Sequence, residues 1–174
     1  MKKLDRRDIL KKALALGTLS LSLNIVTNSY TRAKDKLSKA DMIIIWKSKR
    51  KMSLFQKRIL IKTYTIRLGF NPIGHKQKEG DGKTPEGRYF VTHHNPKSAY
   101  HKSLGISYPN SQDRANAIKR NELPGSNIFI HGGPKNILTH FLKDWTGGCI
   151  AVFDREIEEI YYSVPDGTVV YIYS

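Results

Sequence analysis

A single cysteine in 174 residues rules out an internal disulfide, so this chain must hold its fold without one, and its thiol is buried, paired with another chain or reactive. That thiol, Cys149, sits in Thr146-Gly147-Gly148-Cys149-Ile150. The two glycines before it permit a tight backbone and keep side chains away from the sulfur. A free cysteine is more often a small buried hydrophobe. One set on a glycine turn reads instead as a reactive thiol. A second glycine-rich turn, His131-Gly132-Gly133-Pro134, begins eighteen positions upstream. A thiol and an imidazole on neighbouring turns are the minimum parts for nucleophilic acyl transfer.

Composition divides the chain into three stretches. Residues 1–30 open with Lys2, Lys3, Arg6, Arg7, Lys11 and Lys12 and continue as an apolar run from Ala13 to Val26. That is the pattern of an export signal, and the run is short for a membrane span. Asp5-Arg6-Arg7-Asp8-Ile9-Leu10-Lys11 is similar to a twin-arginine signal. No A-x-A cleavage site stands out, so cleavage and retention as an anchor with membrane association are both open. Either way the expected location is the periplasm or cell envelope. Residues 31–40 read as a polar linker and 41–174 as one domain.

Within that domain the apolar residues cluster in short runs. Met42–Trp46 and Met52–Phe55 flank the basic stretch Lys47–Lys51 and predict a hairpin. Ile59–Leu68, Tyr89–Thr92, Leu104–Tyr108, Asn127–Ile130 and Thr168–Tyr173 predict further strands. Ser111–Lys119 predicts a helix capped by Ser111, and Asp154–Ser163 one capped by Asp154 with Ile157, Ile160, Tyr161 and Val164 on one face. Residues 93–127 otherwise read as a groove-shaping loop. The fold class expected is mainly β, a sandwich or barrel-like domain with one or two short helices.

The formal net charge is +15, and residues 31–62 hold eleven Lys or Arg against two Asp, a local excess of +9. Such a surface favours an anionic surrounding. It carries no finger spacing and no aromatic RNA-binding signature, so no nucleic-acid partner is expected. Interleaving of the basic residues with apolar ones places many of them on solvated strand faces.

Three segments in order resemble the L,D-transpeptidase (YkuD-type) catalytic domain. They are Gly80-Asp81-Gly82-Lys83-Thr84-Pro85-Glu86-Gly87-Arg88-Tyr89, His131-Gly132, and Trp145-Thr146-Gly147-Gly148-Cys149-Ile150-Ala151. With the closing Val164-Pro165-Asp166-Gly167-Thr168 the resemblance covers roughly residues 40–174. It implies a β-sandwich of mixed sheets, an exported cysteine enzyme and peptidoglycan stem peptides as partners. It implies Cys149 as nucleophile, His131 as general base, and a carbonyl of Gly132 or Gly133 orienting the imidazole. The N–H groups of Gly147, Gly148 and Cys149 could then face a developing oxyanion. Thr146, Arg88 and Tyr108 are candidate substrate contacts. No metal or dissociable cofactor is required. The loop Gly80–Gly87 is expected to border the site.

His93, His94 and His101 are read as groove-lining or exposed, because adjacent strand residues face opposite ways. His140, Asp144 and Trp145 lie between the two turns, with Asp144 as a helix or turn cap and Trp145 packed under the cysteine turn. One departure stands out. Gly147 occupies the place of a second histidine in the common Ser/Thr-His-Gly-Cys turn, and Ala151 stands where many members have Asn or Arg. Acceptor choice is therefore open. Transfer to an amine is the first expectation. An L,D-carboxypeptidase or amidase using the same nucleophile is the second, and a basic wall-binding module without catalysis the third.

Overall fold

The structure, a computed structural model, describes residues 39–134, 136, 139 and 142–174. The expected export signal and anchor, most of the linker, and His140 lie outside them. Among the described residues no helix is long and apolar enough to cross a membrane.

Strand β1 (Met42–Trp46) is β-branched and alternates, burying Ile43 and Ile45. It pairs antiparallel with β2 (Lys51–Gln56), which pairs in turn with β3 (Ile59–Thr65). The predicted first hairpin is present. On the other side β1 runs parallel to β8 (Val169–Tyr173), so the last strand of the described residues lies beside the first. Strand β4 (Gly87–Ser98) gives residues 87–90 to β8 and its remainder to β5 (His101–Ile106). Two short strands, β6 (Phe129–His131) and β7 (Ile150–Ala151), complete one mixed sheet in the order β3-β2-β1-β8-β4-β5-β6-β7. The stretch just after β3 then bridges back to β7, with Arg67 and Ala151 exchanging N–H···O bonds of 2.9 and 2.8 Å. The sheet thus closes around one core of Ile43, Ile45, Leu54, Leu68, Leu104, Ile130, Ile150 and Ile172.

Strand β4 runs on through the stretch expected to be loop. His93–Ser98 continues it and β5 returns from His101. Bulges between Val91 and His93 and between Asn95 and Ser98 leave Pro96 outside the paired register, where its missing N–H costs nothing.

Helix α1 (Ser111–Lys119) is capped by Asn110, one residue before the expected Ser111. Asn110 Oδ1 accepts from the Asp113 N–H at 2.9 Å, and Asp113 Oδ2 accepts from the Asn110 N–H at 2.9 Å. Helix α2 (Asp154–Ser163) starts from Phe153, whose N–H is met by Glu156 Oε2 at 3.0 Å. Asp154 is therefore no cap, and its carboxylate is used elsewhere. As expected, Ile157, Ile160 and Val164 are buried, while Tyr161 is half-buried against the core.

Candidate active site

The cysteine turn is held by Thr146. Its buried hydroxyl donates to the Cys149 carbonyl at 2.7 Å and accepts from the Gly148 N–H at 3.1 Å. Thr146, expected as a substrate contact, has its hydroxyl committed to clamping the turn. Gly148 adopts φ +135°, and a Cβ there would come within 2.6 Å of the Lys83 carbonyl, so only glycine fits. Around Gly147 the space is open. Of the three N–H groups expected to face an oxyanion, that of Gly148 points to Thr146, leaving those of Gly147 and Cys149. Thr146→Val should leave both clamp partners unpaired. We expect a stability loss of about 1–3 kcal/mol by denaturant titration and a fall in turnover, both restored by Thr146→Ser.

Sγ of the half-buried Cys149 accepts from the Phe129 N–H at 3.4 Å and lies 3.5 Å from the Asn127 carbonyl. Burial pushes the thiol above its ordinary value, against the pull of the Phe129 N–H and the charge of Lys76.

His131 ends β6, in parallel register with Ala151 of β7. Two residues back, the same register sets Phe129 beside Cys149. Strand spacing and rise then put the His131 and Cys149 Cα atoms about 8 Å apart. The imidazole is buried between Tyr100 and Trp145, with ring centroids at 4.6 and 5.7 Å. Trp145 therefore packs against the histidine as well as next to the cysteine turn. Nδ1 lies 2.6 Å from the Gly132 carbonyl. A carbonyl only accepts, so Nδ1 carries the proton and Nε2 of the neutral ring keeps its lone pair. Burial lowers the imidazole below its ordinary value of 6.5, and the bond to Gly132 offsets part of this. Thiol and imidazole are thus both neutral at rest.

Gly132 cannot serve as an N–H donor to substrate, since its N–H goes to the Lys102 carbonyl at 3.3 Å. Its role is the carbonyl. Asp154 Oδ1 accepts from the Gly133 N–H at 2.7 Å and would lie 2.6 Å from any Cβ on Gly132, so the histidine turn is pinned to the start of α2. Asp144 braces the other side, accepting from the Leu68 N–H at 3.0 Å and from Arg50 at 2.7 Å.

A cavity of about 240 Å³ opens at Cys149, lined by Lys76, Glu79, Gly80, Asn127, Ile128 and Gly147 among others. Of the Gly80–Gly87 loop, Gly80 lines it and the Lys83 carbonyl lies against Gly148 of the cysteine turn. Asp81 knits that loop: it takes Lys76 Nζ at 2.8 Å and the N–H groups of Gln77, Lys78 and Lys83 at 2.8, 3.1 and 3.0 Å. Burial alone would raise the Asp81 carboxyl, but Lys76 and these three N–H groups outweigh it and hold it at about 2. Sequence reading passed over Lys76, which is buried beside the thiol. Nothing in its local pattern distinguishes it from the exposed lysines.

Two expected substrate contacts, Tyr108 and Arg88, do not line the thiol cavity. Tyr108 is buried in the core, with its hydroxyl donating to the Pro124 carbonyl at 2.7 Å and its ring edge-on to Tyr89. Arg88 lies on β4 opposite Tyr171, with its guanidinium 4.7 Å over Phe90, and lines a cleft that shares no residue with the thiol cavity. His94 bonds Asp166 at 2.7 Å, His101 bonds Glu158 at 2.6 Å, and His93 bonds Thr92 at 2.9 Å. Among the described residues no cluster of His, Cys, Asp or Glu is arranged to hold a metal.

A family model for the L,D-transpeptidase catalytic domain (YkuD) matches residues 40–172. YafK of Escherichia coli K12 is 33% identical over 128 residues, which is 70% of this chain and 46% of YafK. The helical cell shape determining protein Pgp2 from Campylobacter jejuni superposes with TM-score 0.60 and 25% identity, covering 79% of this chain and 50% of Pgp2. Bd1075 of Bdellovibrio bacteriovorus gives TM-score 0.57 and 26% identity over 79% of this chain and 48% of its own. The chain spans about half the length of these relatives.

Proposed function

The chain belongs to the L,D-transpeptidase catalytic-domain family, and from that premise we propose that it acts on peptidoglycan stem peptides through a thioester on Cys149. One observation supports this most: a thiol at a cavity stands just before β7, and an imidazole held in the Nε2-basic tautomer stands at the end of β6, the parallel neighbour of β7. In this reading the sulfur attacks the carbonyl carbon of the diamino-acid residue at position three of a stem. Its proton passes to His131 Nε2 as the C–S bond forms, because both groups start neutral. The oxyanion is met by the N–H groups of Gly147 and Cys149, each such donor being worth roughly 2.7–4 kcal/mol. Collapse expels the terminal D-amino acid, whose nitrogen takes the proton back from Nε2. An amine of a second stem then attacks the thioester and gives a proton to His131 Nε2; the C–S bond breaks, the sulfur takes that proton back, and a cross-link results. Water in its place gives trimming. The substrate lies outside the cytoplasm, so the reading includes export directed by residues 1–30.

Mass spectrometry of products from defined tetrapeptide muropeptides tests this. Release of the terminal D-amino acid with a cross-linked dimer supports transfer, and a trimmed monomer alone would move the chain to the carboxypeptidase reading. Unprocessed tetrapeptide would overturn both. In the same assay turnover should fall only as acid protonates His131, below its ordinary 6.5. It should stay level up to the ordinary thiol value of 9.0, because burial keeps Cys149 protonated until beyond it.

A further inference from the structure

We propose that a second cleft, formed by α1 and the ends of β4 and β8, binds a neutral pyranose oligosaccharide. It measures about 670 Å³ and has no lining residue in common with the thiol cavity. The proposal does not depend on the thioester reading.

Two features set its chemistry. First, Tyr171 and Tyr173 of β8 present near-parallel rings 6.3 Å apart with an interplanar angle of 8°. Tyr173 is exposed and Tyr171 half-buried. Flat, rigid rings of this kind offer apolar area at low entropy cost, suited to the C–H face of a sugar. Second, the acidic groups of the wall are engaged and most of its free polar groups are uncharged amides. Glu86 is taken by Lys47 at 2.9 Å. Asp113 is taken by His75 at 3.1 Å, by the Tyr89 hydroxyl at 3.0 Å and by the Asn110 N–H at 2.9 Å. Arg88 is spread over Phe90. The carboxylates along the wall are therefore engaged within the protein and leave a metal no free acidic ligand, while the exposed Arg88 guanidinium keeps N–H groups that can donate to a hydroxyl.

The side-chain amides remain. Gln112 Nε2 donates to Asn116 Oδ1 at 2.9 Å, which leaves the Gln112 oxygen as an acceptor and the Asn116 amino group as a donor. Asn110 uses its oxygen on the Asp113 N–H and keeps its amino group. Mixed neutral donors and acceptors beside aromatic faces match hydroxyls, each of which both gives and receives a hydrogen bond.

The test titrates the full chain with chitotetraose, with cellotetraose and with a sugar-free stem tetrapeptide, read by amide NMR shifts. Chitotetraose should shift residues at the end of β8 and the first turn of α1. Tyr173→Ala and Asn116→Ala should each weaken it about tenfold while tetrapeptide turnover is unchanged. Both residues lie toward the surface, so both variants should fold. Equal binding of cellotetraose would support recognition of the pyranose ring itself, and weaker binding would support a contact to the acetamido group. The proposal is overturned if neither sugar shifts these residues at millimolar concentration, if the shifts persist in both variants, or if the tetrapeptide shifts the same residues.

Discussion

Cys149→Ala and His131→Gln are each expected to lower D-amino acid release by about three orders of magnitude or more, with the melting transition retained. Cys149 is the chain's only thiol, so no neighbouring nucleophile can substitute. His131 is the buried imidazole whose Nδ1 is committed to the Gly132 carbonyl, which leaves Nε2 to take the proton. Gln offers a polar side chain of related size but no basic nitrogen, so it separates loss of the base from loss of packing against Tyr100 and Trp145. Because the two residues act in one proton transfer, the double variant should be no slower than the slower single one. Full turnover in either single variant contradicts the assignment.

Asp81→Ala is expected to cost about 3–5 kcal/mol of stability, measured by denaturant titration. The side chains of Lys76 and Asp81 are 3% and 9% exposed, so removing the carboxylate strands a buried ammonium and three N–H groups at once. The loss should fall first on the loop that walls the thiol cavity. A linked effect appears with pH. The folded-state carboxyl sits at about 2, below its ordinary 3.8, so its contribution is complete above that ordinary value and drains away as pH falls from there through about 2. The Asp81→Ala chain should lose less stability than the parent over that window. If the variant is as stable as the parent at neutral pH, the Lys76–Asp81 pair is not what holds the loop.

What could be read from the chain, and what could not, divides on whether the cause is local. Met42–Trp46 is a short, β-branched apolar run that stops at the basic stretch Lys47–Lys51, so β1 and its hairpin with β2 were legible. The two glycine turns were legible because motif order brings His131 and Cys149 into one argument. Helix starts were displaced by one residue. Asn110 and Ser111 are both good caps, and at α2 the Asp154 carboxylate is drawn to the Gly133 N–H across the fold. His93–Ser98 hid as a loop because its polar residues and Pro96 lie in a bulged stretch where apolar alternation is absent. Arg88, Tyr108 and Thr146 carry side chains that suit a ligand equally well as a sheet face, a core strut or a turn clamp. Only the pairing register and their partners decide. Lys76 shows the same limit in reverse, since its burial is imposed by Asp81 and a loop that closes only in three dimensions.

The central claim is that acyl transfer passes through a covalent bond to one sulfur. The most direct measurement is the intact mass of the protein, acid-quenched during turnover of a tetrapeptide donor without an amine acceptor, followed by peptide mapping. The account predicts a gain equal to the acyl part of the donor, carried on the peptide containing Cys149 and absent from Cys149→Ala. D-amino acid release with no mass gain on that peptide, or an equal gain in Cys149→Ala, would contradict it.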